Sequence, residues 1–191
     1  MTKTDSRIIK AGAWPPDAGQ EKQPLEWIML ECRNSVALLL CTKSVAVMPY
    51  HNSYAFISWE KSDVRKWLNG VFFEKAFSRE EKERIVRSEV KYDSYKHSGS
   101  ISEEITDDNV FLLNSDEAYR YFGNDAQRQA VMIVSGTEKE TKENRRCWWW
   151  LRSVGYYVNS AAVVYKDGGI SSCGVHIGLS GGVRPAIRMR I

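Results

Sequence analysis

Four cysteines, a histidine in a polar run, and two arginines bracketing a Gly- and Ser-rich segment are the residues here with the means to do chemistry. Cys32, Cys41, Cys147 and Cys173 show neither CxxC nor CxxxC spacing, so they lack the close ligand pairs of a zinc site. Their isolation suits four thiols in a reducing compartment. Redox chemistry near the C-terminus would use Cys147 with Cys173, but Cys147 abuts three tryptophans, where a small core residue is expected. His97 stands among Ser, Lys, Glu and Asp with no nucleophile or acid recognisable beside it, and reads as a solvated histidine. Thr106-Asp-Asp-Asn109 is the nearest approach to a calcium site; calcium takes about six to eight oxygens, and a solvated turn accounts for this run. No P-loop, GxGxxG, HExxH or GxSxG occurs. The expectation is a chain with no catalytic residue, no metal and no cofactor.

The two arginines belong to a different design. Cys147-Trp-Trp-Trp-Leu-Arg-Ser153 opens the C-terminal region and Gly181-Gly-Val-Arg-Pro-Ala-Ile187 closes it, with about thirty Gly-, Ser- and Tyr-rich residues between. Large rings, guanidinium groups and a proline mark the two ends as fixed; the middle is built for display. Trp149, Arg152 and Arg184 are read as a structural staple, the arginines pairing with carbonyls or buried acids through a rigid fork of donors. Arg184 is expected to be mostly buried, and at least two of Trp148 to Trp150 to be core. Tyr with Ser and Gly is the composition of antibody-type contact loops, where Tyr gives rigid amphipathic area and the small residues adapt. The residues expected to touch a ligand are Tyr156, Tyr157, Asn159, Ser160, Val163, Tyr165, Ser171, Ser172, Cys173, His176 and Leu179.

The rest of the chain must position that segment. With 191 residues, 43% of them hydrophobic, it can bury one good core, so residues 1–191 read as a single domain, 1–147 scaffold and 148–191 tryptophan strand, display segment and terminal strand. A net charge of +3 from 27 basic and 24 acidic residues scattered together makes no field for nucleic acid. No apolar run approaches membrane length, and the polar start lacks the core of a signal peptide. That predicts no membrane span and a cytoplasmic default, with surface or virion display by another route.

Ile8–Trp14 ends at Pro15-Pro16 and makes a short strand. Leu25–Cys32 and the wholly apolar Val36–Cys41 form a hairpin whose second strand is buried on both faces. Ser44–Met48 adds another short strand, and Ser58–Gly70 is a helix stopped at Asn69-Gly70. A further helical piece runs through Phe72-Phe73 to Phe77, and Ser78-Arg-Glu-Glu81 is a capping box opening a helix that carries Ile85 and Val86. Residues 88–108 look like an irregular polar excursion; Val110–Leu113 is a short buried strand; Ser115–Gly123 is a capped helix; Thr137–Arg146 is a polar run. Trp148–Arg152 is a strand covered on both faces, Ala161–Tyr165 and Ile170–Cys173 a hairpin turning at Asp167-Gly168, and Val183–Ile191 the terminal strand.

Taken together, Leu25-Glu-Trp-Ile-Met-Leu30, Trp59 with Ser62 and Arg65, Trp67-Leu-Asn69, Ala76-Phe-Ser78, Val110–Leu113, Trp149-Trp-Leu-Arg-Ser153 and Gly182-Val-Arg-Pro-Ala186 resemble an uncharacterised bacterial family, domain of unknown function 6273. Val154 stands where a proline is expected after Arg-Ser. The Trp-Leu-Arg-Ser and Gly-Val-Arg-Pro-Ala ends are similar to those of C-type-lectin-like proteins, a group including formylglycine-generating enzymes and the variable proteins of diversity-generating retroelements. The resemblance implies an α+β, C-type-lectin-like fold of small twisted antiparallel sheets with short helices, and a non-catalytic ligand-binding protein whose variable segment meets an unknown protein or glycan. In diversified proteins miscopied adenines turn Asn codons into codons for Tyr, His, Ser, Gly, Val, Leu, Cys and others, a set that covers the contact residues above; Lys166 falls outside it. The alternatives are a formylglycine-generating-enzyme-like oxidase, which would need paired cysteines, and a structural subunit of a phage or surface particle.

Overall fold

A strand apolar at every position must be covered on both faces, and Val36–Cys41 is the centre of a five-stranded sheet. The computed structural model describes residues 7–16, 19–53, 57–95, 100–133 and 146–191. In chain order the N-terminal part comprises β1 (Ile8–Trp14), β2 (Gln23–Arg33), β3 (Val36–Cys41), β4 (Lys43–Ser44), β5 (Ala46–Pro49), α1 (Asp63–Trp67), a π turn (Leu68–Phe72), α2 (Phe73–Ala76) and α3 (Arg79–Arg84). The middle holds β6 (Ser88–Tyr95), β7 (Ile101–Asp108), β8 (Val110–Phe111), α4 (Ser115–Tyr121), α5 (Asp125–Arg128) and β9 (Ala130–Met132). The C-terminal part holds β10 (Arg146–Cys147), β11 (Trp149–Val154), β12 (Ser160–Val164), β13 (Ile170–His176), β14 (Ser180–Val183) and β15 (Ala186–Arg190).

With 19% of residues helical and 49% in strands, spread over several small sheets, the architecture is α+β. One five-stranded sheet has the order β1-β2-β3-β15-β8, so the last strand is inserted between early ones. The other has the order β13-β12-β11-β14-β5. A three-stranded piece, β10-β9-β4, and the β6-β7 hairpin complete the described sheets. The β2–β3 connection is tight because Asn34 and Ser35 both take positive φ, 49° and 60°, the twist a two-residue hairpin turn needs. No helix among the described residues is long and apolar enough to cross a membrane.

Three stretches differ from expectation. The helix opened at Ser78 does not carry Ile85 and Val86: it ends at Arg84, and Ile85 is extended and bridges Met189. Residues 88–108 are not an irregular excursion: β6 and β7 pair without a break from Ser88↔Asp108 to Tyr95↔Ile101. Val90 and Tyr92 face inward while Glu89, Lys91 and Asp93 face solvent, a period of two hidden by the polarity of the outer face. The helix through residues 58–70 begins later and does not stop at Asn69-Gly70. Ser62 caps α1 by accepting from the Arg65 N–H, and the chain continues through Asn69-Gly70 as the π turn, burying Leu68 and Phe72. Asn69 is a connector there: its amide donates to the Val110 carbonyl at 2.9 Å and its oxygen accepts from the Asn109 N–H at 2.8 Å. His97 and all of the Thr137–Arg146 run except Arg146 lie outside the described residues.

One buried carboxylate fixes the hairpin to the helices. Asp108, fully enclosed, accepts from the Trp59 indole at 2.9 Å, the Thr106 hydroxyl at 2.7 Å and Arg65 Nε at 2.7 Å. Removing it strands two buried donors and a charge, so Asp108→Ala is expected to cost about 3 kcal/mol in urea unfolding. By contrast Glu83→Ala, which breaks the solvent-exposed Arg79–Glu83 pair, leaves the unfolding midpoint where it was.

Candidate functional site

Two buried tryptophans and two buried arginines anchor the frame. Trp149 and Trp150 are fully buried on opposite faces of β11, their indoles donating to the Arg128 and Met48 carbonyls, each at 3.0 Å. Trp148, half-buried, lies edge-on to Trp150 with ring centres 4.9 Å apart. Arg152 grips Glu117 through two bonds of 2.6 and 2.9 Å and donates to the Leu112 and Lys91 carbonyls. Glu117 also closes the capping box of α4 by accepting from the Asn114 N–H, so one carboxylate joins α4 to β11. Arg184, 1% exposed, donates to the carbonyls of Cys41 (2.8 Å) and Arg128 (3.1 Å) and stacks 5.0 Å from the Trp149 ring centre. Burial lowers its pKa to about 10, against a smaller opposite pull from the Cys41 and Cys147 thiols; the group stays cationic at neutral pH.

The segment between these anchors has two ends. At one end Tyr156 and Tyr157, 71% and 65% exposed, stand edge-on with ring centres 5.1 Å apart. Beneath them the Ser160 hydroxyl donates to the Tyr157 carbonyl at 2.7 Å and accepts from the Tyr157 N–H at 3.0 Å, closing the loop. Ser160 pairs with His176 across the ladder, and the Ile177 N–H donates to the Asn159 carbonyl at 3.0 Å. The 176–179 turn, with Leu179 51% exposed, therefore adjoins the tyrosine loop. His51 supports the 176–179 turn: its backbone N–H donates to the Ile177 carbonyl, and its ring lies between Asp63 (3.0 Å) and Ser53 (2.7 Å). From the other side Tyr95, at the end of β6, reaches the Gly155 and Tyr156 carbonyls through its hydroxyl at 2.6 and 2.8 Å.

The hairpin tip is the other end. Gly168 at φ 93° closes the turn, and a Cβ there would sit 1.8 Å from the Asp125 carbonyl oxygen. Arg128, almost wholly buried, donates to the Gly168 and Phe122 carbonyls and pairs with Asp125, seating the tip on α5. Tyr165 projects from this tip, about 15 Å along the strand from Ser160. It is 43% exposed.

Of the residues expected to meet a ligand, Tyr156, Tyr157, Ser172, Cys173 and Leu179 are exposed in one region, with Asn159, Ser171 and His176 half-buried among them. Tyr165 is exposed but separate. Two are corrected. Val163 is fully enclosed, because in a strand flanked by β11 and β13 it faces the core. Ser160 is buried, with its hydroxyl committed to holding the Tyr157 loop. Arg128, Tyr95 and His51 were not singled out from sequence. Asn114-x-x-Glu117 is a capping-box pattern that could have pointed to Glu117; nothing local marks Arg128.

The thiols do not assemble. All four cysteines are free, and Cys147 and Cys173 lie about 15–20 Å apart, counting rows from the Trp149–Val164–Ile170 register. Burial pushes the Cys41 thiol up to about 11 and raises that of Cys147, which bonds Ser44. Among the described residues no group of three or more His, Cys, Asp and Glu could hold a metal ion.

The model of a family described as a domain of unknown function, DUF6273, matches residues 34–191. The chain belongs to that family. Within the DUF6273 match fall the β6–β7 hairpin, which forms an arm of the fold, both arginine anchors and all of residues 154–180, whereas Leu25–Leu30 on β2 precedes it. No curated protein and no solved structure matches the chain.

Two outcomes are expected of this DUF6273 chain. Native-state alkylation followed by peptide mass spectrometry should modify the exposed Cys32 and Cys173 first, Cys147 much more slowly, and Cys41 only on unfolding. Gly168→Ala should destabilise the fold by at least about 2 kcal/mol in urea, because both the left-handed turn and the Asp125 contact resist a side chain.

Proposed function

We propose that this protein is a non-catalytic binding module of C-type-lectin-like architecture, whose contact surface is formed by Tyr156, Tyr157, Val158, Asn159, Ser172, Cys173, His176 and Leu179. The observation that carries the reading is a contrast inside one short segment. Side chains pointing outward are large, aromatic or small and adaptable, while those beneath are held by a closed set of hydrogen bonds. The architecture is consistent with the proposed fold: the terminal strand β15 returns to the sheet of β1 to β3, and the tryptophan strand and its arginines close the base of a long, partly irregular segment.

The surface is also uncharged. Residues 153–165 and 168–183 include no Asp, Glu, Lys or Arg, so contact there rests on ring area and neutral hydrogen bonds. Retroelement diversification fits such a site, since the exposed positions can vary without disturbing the frame. Redox chemistry of the formylglycine-generating kind finds no support in the separation of Cys147 from Cys173.

Tolerance to substitution tests the idea directly. A library randomised at Tyr156, Tyr157, Asn159, Ser172, His176 and Leu179 should keep the parental melting temperature within a few degrees in most members. Val163→Ser should lose about 2–3 kcal/mol, and Arg152→Leu should lose more by stranding Glu117. If most library members unfold, these positions belong to the frame and the reading fails. On the genomic side, a near-copy of codons 155–182 differing only at adenines, beside a reverse transcriptase gene, is the expected companion of a diversified segment.

A further inference from the structure

A cavity of about 310 Å³ opens between the β6 strand of the arm, the start of α4, and the neighbouring β8, β11 and β15, and none of residues 156–180 lines it. Its charges are not closed by the protein. Glu117 is spent on Arg152 and on the Asn114 N–H. Lys91 is paired outward with Glu103 at 2.7 Å. Arg188 differs from both. Ala186 pairs with Phe111, so Arg188, two residues on, shares that face of the sheet, and its guanidinium carbon lies 5.4 Å from the Phe111 ring centre.

Among the described residues that guanidinium has the ring contact and neither a hydrogen bond nor an ion pair. Glu89 also lines the cavity from the outer row of β6; its carboxylate has no hydrogen bond or ion pair among the described residues, and feels only the charge of Lys91, which Glu103 already engages. A cation and an anion thus border one space without meeting. The Asn114 side chain accepts from the Glu117 N–H through its oxygen at 2.7 Å, which leaves its amide NH₂ as a further donor in the lining.

From this arrangement we infer that the cavity binds a small amino-acid zwitterion, its carboxylate received by Arg188 and Asn114 and its α-ammonium by Glu89. The unspent groups select this class over its neighbours. A phosphate brings two negative charges against Glu89 and Glu117, which repel it. A simple carboxylate answers Arg188 and leaves Glu89 with no charge but that of Lys91, which Glu103 already engages; a neutral ligand answers neither. An amino acid carries both charges on neighbouring atoms, and a guanidinium held flat on a ring presents a carboxylate with two parallel donors. The volume suits a ligand of that size. This site and the tyrosine surface share no residue, so either can fail alone.

Isothermal titration calorimetry of the full chain against the twenty standard L-amino acids is the test. At least one should saturate with a dissociation constant below about 1 mM. Its amide, lacking the carboxylate, and its N-acetyl derivative, lacking the ammonium, should each bind at least about tenfold more weakly. Arg188→Gln should abolish binding while melting within a few degrees of the parent, and Arg188→Lys, which keeps the charge but not the fork, should weaken it. Glu89→Gln should remove the advantage of the free amino acid over its N-acetyl form. The inference is overturned if no amino acid saturates by about 10 mM, if acetate or inorganic phosphate binds as tightly as the best amino acid, or if Arg188→Gln binds like the parent. Should Arg188→Gln fail to fold, the amide and N-acetyl comparisons on the parent chain decide alone.

Discussion

One carbonyl, that of Arg128, accepts both the Trp149 indole and the Arg184 guanidinium, while the side chain of the same residue holds the hairpin tip through the Gly168 carbonyl. Arg128 is therefore where the tryptophan strand, the closing arginine and the tip of the segment meet. A buried guanidinium is costly unless its donors find acceptors. Here those acceptors are largely backbone carbonyls, which a folded chain offers at fixed positions, so charge and geometry constrain each other. Arg184 stays cationic although burial lowers its pKa to about 10, because two carbonyls and the Trp149 ring face it.

The same economy recurs across the scaffold. Asp108 gathers Trp59, Arg65 and Thr106; Glu117 serves Arg152 and the α4 cap; Glu81 closes its own capping box and also accepts from the Gly12 N–H at 2.7 Å. In each case one carboxylate ties a helix to a distant strand. The result is a rigid base from which a short aromatic surface can project without its own internal core. What lies above that base differs in kind: the Tyr156 and Tyr157 rings contact each other and are mostly exposed to solvent.

Legibility in the sequence followed the physics of each signal. The β2–β3 hairpin, the capping box at Ser78, the β12–β13 hairpin with its turn at Asp167-Gly168, and the buried tryptophans were readable because periodicity, cap chemistry and turn residues are local. The β6–β7 arm is hard to read because its inner face sets Asp108, Glu104 and small polar residues beside Val90 and Tyr92, while its outer face mixes Ile101 and Ile105 with charges, which leaves little apolar alternation. Asn69-Gly70 was read as a stop because nothing local records that the Asn69 amide bonds Val110, about forty residues away. Val163 and Ser160 were placed on the contact surface because the composition of the segment is uniform, and composition carries no information about which side of a strand a residue occupies.

The sequence by itself determined that the chain is a mixed α+β protein of the DUF6273 family, where its main strands and caps fall, and that the tryptophans and the C-terminal arginines are anchors, since these follow from short-range pattern and residue chemistry. Only the tertiary structure decided which acid or carbonyl each anchor meets, that Tyr95 buttresses the tyrosine loop and His51 the turn beside it, that Tyr165 stands apart, and that Arg188 and Glu89 border one cavity. Those pairings join residues from 21 to 143 positions apart, and such distances close only when every strand register is set at once.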